Sequence, residues 1–307
     1  MTLSFADRLH AAIERTQSPV CVGIDPRPGM LPAEFRPAAD ASASAIAAAI
    51  RAWGLALVDV LAPVVPVVKP QIAFFEAFGS AGFAAYEAIV HAAREKGLLV
   101  LADAKRGDIG STAEAYAQGH LDLIGADAVT VSPYLGLDTL EPFLTRCAES
   151  GKGIYVLVRT SNPGARDLQD LLVDGRAVHT ILAERIAEIG MRPGLVGECG
   201  WSSVGAVTGA TYPAELTVLR SVMPHTPFLV PGYGAQGGGA ADCAGAFTGG
   251  AGAVVNSSRG ITFAFRSGDH AERFGESDWR GSVEAAVSDM RTALNSVRLA
   301  APAEPTV

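Results

Sequence analysis

The densest chemistry in this chain lies in one segment, Asp103-Ala104-Lys105-Arg106-Gly107-Asp108. If that segment ends a strand, the alternation of side chains puts Asp103 and Lys105 on one face. Asp108 then falls on the loop before a helix opened by Ser111 and Thr112. An ammonium within about 4–6 Å of carboxylates is favoured in its charged form, so Lys105 suits the work of a fixed cation and proton donor and not that of a Schiff-base nucleophile. A salt bridge decorating a loop would use the same residue types. Asp25 and Lys69 also close short apolar runs. Taken singly, each has a plain structural explanation, an Asp-Pro turn and a solvated lysine. Converging on one mouth with Asp103 and Lys105, they would make an active site.

A second segment, Gly232-Tyr233-Gly234-Ala235-Gln236-Gly237, satisfies the GxGxxG pattern. The dinucleotide fingerprint needs a βαβ setting and an acidic residue about 20 positions later, and the window around Ser257 and Ser258 holds no Asp or Glu. The same glycines can present backbone N–H groups to a phosphate. Arg259, one strand later, could supply a bidentate guanidinium; a plain glycine turn is the simpler alternative. HExxH, GxSxG and Walker A patterns are absent, and His10, His91, His120, His179, His225 and His270 show no ligand spacing. Asp103 and Asp108 could offer oxygens to Mg²⁺, but Lys105 between them already brings positive charge, so no metal is required.

Such groups need a scaffold that gathers strand ends. Short β-branched apolar runs recur at 20–24, 64–69, 98–103, 128–132, 154–159, 195–198, 228–230 and 253–256. Helical periodicity lies between most of them, at 41–61, 74–96, 111–121, 139–150, 178–189 and 214–222, with a last amphipathic helix at 280–298. Apolar strands alternating with helices imply a parallel sheet covered by helices. With this many strands in 307 residues, a closed (β/α)₈ TIM barrel fits better than a doubly wound open sheet, and it places reactive groups at the C-terminal strand ends. No linker divides the chain, so one domain is expected over 1–298, with 299–307 a frayed tail.

Composition narrows the function classes. Hydrophobic residues make up 49% and charged residues 18% of the chain, which excludes extensive disorder. A formal charge of −8 argues against nucleic acid and anionic membrane surfaces as partners. Any anionic ligand must be held by a local cluster of cations and N–H groups. Cys21, Cys147, Cys199 and Cys243 form no CxxC and read as small apolar residues. The charge-free stretch 221–241 is broken by Pro224, Pro227 and Pro231, so it is not a membrane span. Charge comes too early in the chain for a secretory signal, and the expected compartment is the cytoplasm.

The ordered set of segments resembles the orotidine 5'-phosphate decarboxylase family. It comprises Asp25, Val68-Lys69-Pro70, Asp103 to Thr112, Thr160-Ser161-Asn162-Pro163-Gly164, Pro231 to Gly238 and Asn256-Ser257-Ser258-Arg259-Gly260. The resemblance implies a (β/α)₈ homodimer without metal or organic cofactor that converts orotidine 5'-monophosphate to UMP and CO₂. It implies an alternating array of Lys69, Asp103, Lys105 and Asp108, the last donated with Thr112 across the dimer interface. Asp25 would lie near the ribose and Ser161 would bind the pyrimidine. Gln236, Arg259 and the N–H groups around Gly234 and Gly237 would hold the phosphate. The polar stretch 165–176 and the length beyond residue 261 resemble the longer bacterial branch. Competing readings are a Mg²⁺-dependent sugar-phosphate decarboxylase or aldolase of the same barrel group, which Lys69 and the Ser161 segment disfavour, and a non-catalytic nucleotide-binding barrel.

Overall fold

The apolar runs form eight parallel strands: β1 (Val20–Ile24), β2 (Val67–Pro70), β3 (Leu99–Arg106), β4 (Ala128–Val131), β5 (Gly153–Arg159), β6 (Val204–Thr208), β7 (Phe228–Val230) and β8 (Ala253–Ser257). The computed structural model describes residues 3–234 and 237–303. Each strand pairs with its neighbours in chain order, and β1 closes the barrel on β8 through Val20 opposite Val255. The chain is therefore a (β/α)₈ barrel, the architecture expected from the strand count and the intervening helices.

Strands β1 to β5, β7 and β8 lie where the apolar runs indicate, β1 and β7 with the expected bounds and the other five with shifted ends. The sixth does not. The run at 195–198 lies between Gly194 and Gly200, both at φ +82°, and only Val196 makes a bridge, antiparallel to Ser202. The true β6 carries Gly205 opposite Tyr155 of β5. A Cβ at Gly205 would come within 2.5 Å of the Tyr155 ring. The small residue that lets Tyr155 fill the barrel also weakens the sequence signal for the strand.

An element unforeseen from the pattern fixes which mouth is open. Helix Phe5–Thr16, capped by the Ser4 hydroxyl accepting from the Asp7 N–H at 3.0 Å, buries Phe5, Leu9 and Ile13. They pack into a cluster with Tyr155, Leu101 and Val254. Phe5 meets Tyr155 edge-on at 6.1 Å. This helix covers the N-terminal mouth, so the strand C-termini face the remaining opening.

Helix Ala43–Leu61 is long and apolar enough to cross a membrane by length and composition. Here it buries Ile50, Trp53, Leu57 and Leu61, and a Cβ at Gly54 would lie 2.2 Å from Ile89 of the neighbouring helix. After β5 the chain forms a short hairpin, Leu172–Val173 against Arg176–Ala177, turned by Asp174-Gly175 with both φ positive. Such a dipeptide favours the tight hairpin turn. The buried Arg159 ties this excursion to the barrel, pairing with Asp170 at 2.8 Å and Glu215 at 2.6 Å. Beyond the last helix, Trp279–Arg298, the Pro302 carbonyl accepts from the Gly249 N–H at 2.7 Å.

Candidate active site

Lys69, at the end of β2, and Asp103 and Lys105, in the last turn-out of β3, converge at the open mouth. Lys69 Nζ donates to Asp103 Oδ2 at 2.6 Å and Lys105 Nζ to Asp103 Oδ1 at 2.5 Å. The side chains of Lys69 and Asp103 are 6% and 9% exposed, whereas that of Lys105 is 47% exposed, so Lys105 is the cation of the pair that a ligand can reach. Burial pushes against ionisation of Asp103, but the charges of Lys69 and then Lys105 outweigh it and hold this carboxyl well below the usual carboxylate range. Burial likewise opposes charge on Lys69, and Asp103 and then Asp25 overcome it, raising the ammonium above its usual value.

Simple strand alternation does not produce this convergence. The strand runs three residues past the expected end at 103 and is bulged there: Ala102 pairs with Val129 and Arg106 with Val131, so the register shifts between them. Lys105 takes φ +48°, a left-handed conformation that costs a non-glycine residue on the order of 1–3 kcal/mol and concentrates at functional sites. Thr130 of β4, 1% exposed, faces the bulge. Its hydroxyl accepts from the N–H groups of Ala104 at 3.0 Å and Lys105 at 2.8 Å and donates to Asp103 Oδ1 at 3.2 Å. Next along, Arg106 is held by Glu76 at 2.7 Å and by His120 Nε2 at 3.1 Å. Burial, reinforced by Arg106, pushes His120 down to about 4, which keeps that nitrogen free to accept.

The array opens into a cavity of about 770 Å³ whose walls include Lys69, Asp103, Lys105, Thr130, Ser161 and Asn256. Such a volume suits a small organic ligand. Asp25 Oδ1 and Asn256 Oδ1 are buried without hydrogen-bond partners among the described residues. Unmet acceptors at a mouth are suited to hydroxyl or N–H donors of a ligand. The Ser161 loop is braced by Gln169, which accepts from the Thr160 N–H at 3.0 Å and donates to the Thr160 hydroxyl at 2.8 Å.

Other expected site residues lie apart from the array. Asp108 is half-buried and its Oδ1 accepts from the Ile109 N–H at 2.8 Å; it has no ion pair with Lys69 or Lys105 of its own protomer among the described contacts. Helix Gly110–Ala117 has Ile109, not Ser111 or Thr112, at its N-cap, so these two occupy its first turn and are exposed. Their hydroxyls cap nothing because Gly110, at φ +50°, starts the helix one residue sooner. Arg259 is exposed at the start of a short helix after β8. Gly234 and Gly237 adopt φ +71° and +92°, but their N–H groups donate within the turn, to Gly238 at 2.8 Å and Gly234 at 2.9 Å. In this loop conformation those donors are not turned to a phosphate. Gln236 lies outside the described residues. Asn256 opens the segment running to Gly260 but is given no role there, and Thr130 carries no motif; its only sequence signal is a polar residue within an apolar strand.

Among the described residues no three of His, Cys, Asp and Glu gather as a metal site would need, and both oxygens of Asp103 already accept ammonium groups. A model of the orotidine 5'-phosphate decarboxylase / HUMPS family matches residues 18–274. An orotidine 5'-phosphate decarboxylase of Rhodopirellula baltica is 46% identical over 95% of this chain and 99% of its own length. Another, from Deinococcus radiodurans, is 46% identical over 86% of this chain and 91% of its own. The solved Leishmania donovani OMP decarboxylase superposes with a TM-score of 0.76 at 33% identity, covering 97% of this chain and all of that one. With the family match spanning both the barrel and the strand ends that carry the Lys-Asp-Lys array, this chain belongs to the orotidine 5'-phosphate decarboxylase / HUMPS family.

Proposed function

We propose that the chain decarboxylates orotidine 5'-monophosphate to UMP and CO₂. The observation that carries this reading is the buried Lys69–Asp103 pair presenting a second, solvent-reachable ammonium, Lys105, to a nucleotide-sized cavity. When the bond from C6 to the carboxylate breaks, CO₂ leaves and the electron pair stays on C6, where the ring delocalises it poorly. A cation fixed beforehand stabilises that charge without reorganising. At an effective dielectric near 20, a unit charge about 4 Å away contributes on the order of 4 kcal/mol, a sizeable share of the ~8–23 kcal/mol enzymes remove from barriers. Lys105 then transfers a proton from Nζ to C6, closing the sequence.

The remaining assignments follow the same chemistry. Asp25, with its unmet acceptor, receives the ribose hydroxyls, and Ser161 bonds the pyrimidine. Arg259, with Gln236 and N–H groups around Gly234 and Gly237, holds the phosphate, whose binding energy can drive loop closure. The functional unit is a homodimer in which Asp108 and Thr112 enter the partner's site. Supporting this, Asp108 stands outside its own protomer's array, and its chain neighbour Ile109 is 62% exposed, apolar surface of the kind an interface buries. No metal or organic cofactor takes part, since the cationic role belongs to Lys105. The cytoplasm fits the four free cysteines.

The test is the absorbance change of orotidine 5'-monophosphate with the purified full chain. Turnover is expected and EDTA should leave it intact. No turnover would refute the reading, and activity lost to EDTA and restored by Mg²⁺ would overturn the metal-free mechanism. For Arg259→Ala, loss of a charge-assisted phosphate bond of roughly 1.5–3 kcal/mol should lower kcat/KM about 10- to 150-fold. An unchanged value would place the phosphate elsewhere.

A further inference from the structure

The β3 bulge that brings Lys105 to the mouth creates a difficulty of its own. Between the pairs Ala102–Val129 and Arg106–Val131, β3 advances four residues while β4 advances two, so backbone donors in the bulge lose their places in the strand ladder. Buried N–H groups must find other acceptors. Lys105, in the middle, also takes the left-handed conformation at φ +48°, which a lysine does not adopt without support from its surroundings.

We propose that Thr130 is the positioning residue of this site: its hydroxyl replaces the missing ladder acceptors and fixes both the Lys105 backbone and the Asp103 carboxylate. The valences of the oxygen agree. A hydroxyl has one proton and two lone pairs. Both lone pairs are occupied by the N–H groups of Ala104 and Lys105, at 3.0 and 2.8 Å, so the proton is directed to Asp103 Oδ1, at 3.2 Å. That same carboxylate oxygen accepts from Lys105 Nζ. One buried atom therefore holds the lysine at its root and, through Asp103, at its tip. Bulge ends are secured separately: the Arg106 carbonyl accepts from the Ser132 N–H at 2.7 Å, and the Arg106 guanidinium is tied to Glu76 and His120. Thr130 acts at the centre, where no ladder pair exists.

The inference rests on the decarboxylase reading for its kinetic test only. Thr130→Val keeps the shape and removes the hydroxyl; Thr130→Ser keeps the hydroxyl. A misplacement of about 1 Å in a reacting group can cost on the order of 100-fold, so Thr130→Val should lower kcat ~10- to 100-fold, with KM and UMP affinity within about threefold of the parent. Thr130→Ser should keep kcat within about threefold. Equal losses in both variants, or none in Thr130→Val, would overturn the proposal. If Thr130→Val fails to fold, Thr130→Ala replaces it, with UMP binding by calorimetry reporting an intact site. Should the parent chain prove inactive on orotidine 5'-monophosphate, the decarboxylase reading fails and a crystal structure of the variant still decides the brace. Residue 105 leaving the left-handed region supports it, and an unchanged φ overturns it.

Discussion

Lys105→Ala should lose turnover by about five orders of magnitude or more while still binding UMP. The lost cation alone, on the order of 4 kcal/mol at 4 Å and an effective dielectric of 20, corresponds to about a thousandfold. Loss of the proton donor adds a factor of roughly 10²–10⁴. Binding should persist because Asp25, Ser161 and Arg259, which are assigned to the ribose, base and phosphate, are untouched. Single-turnover absorbance and UMP calorimetry on the same preparation separate the two quantities. A variant whose kcat stays within tenfold of the parent would remove Lys105 from the chemistry.

Asp103→Asn should be the most damaging change to stability in the site. Each carboxylate oxygen of Asp103 accepts a different ammonium. An amide has one acceptor edge and one donor edge, so whichever way it turns it directs an NH₂ at Lys69 or Lys105. Lys69, 5% exposed, then loses its closest counter-charge. Breaking a buried pair from one side costs roughly 3–5 kcal/mol, and kcat should fall as the array loosens. There is also a pH signature. Because the folded carboxyl titrates below its unfolded value near 3.9, its contribution is present above about pH 4 and is lost as pH falls through the folded value. The Asn variant should lack that acid-side slope in urea unfolding. A midpoint equal to the parent's at neutral pH would show that Asp103 does not organise the pair.

The charged members of the site are legible in the sequence because few residue types can do their work and all close apolar runs: Asp25, Lys69, Asp103 and Lys105 come to one mouth by the logic of a parallel barrel. The way they meet is not legible. Period-2 alternation gives a similar answer for Asp103 and Lys105 by a different route, since the actual geometry is a bulge with a left-handed lysine, set by pairing to β4. Thr130 is invisible for the same reason, its role existing only where two strands fall out of register. The displaced β6 has a steric origin, as Gly205 yields space to Tyr155 and so looks unlike a strand. Helix Phe5–Thr16 and the Asp174-Gly175 hairpin carry ordinary local signals, a Ser4 cap and a tight-turn dipeptide, that are easily passed over beside the stronger βα alternation. The phosphate groups are the least determined, with Arg259 exposed and the glycine N–H groups engaged in their own turn.

A crystal structure of the full chain with UMP bound would examine the arrangement directly. Lys105 Nζ is expected within ~3–3.5 Å of the pyrimidine C6, the spacing of a near-attack geometry, with Asp103 on one side and the partner subunit's Asp108 on the other. An amine at residue 105 pointing to solvent, with the base bound elsewhere in the cavity, would contradict the assignment of this lysine as the cation and acid of the reaction.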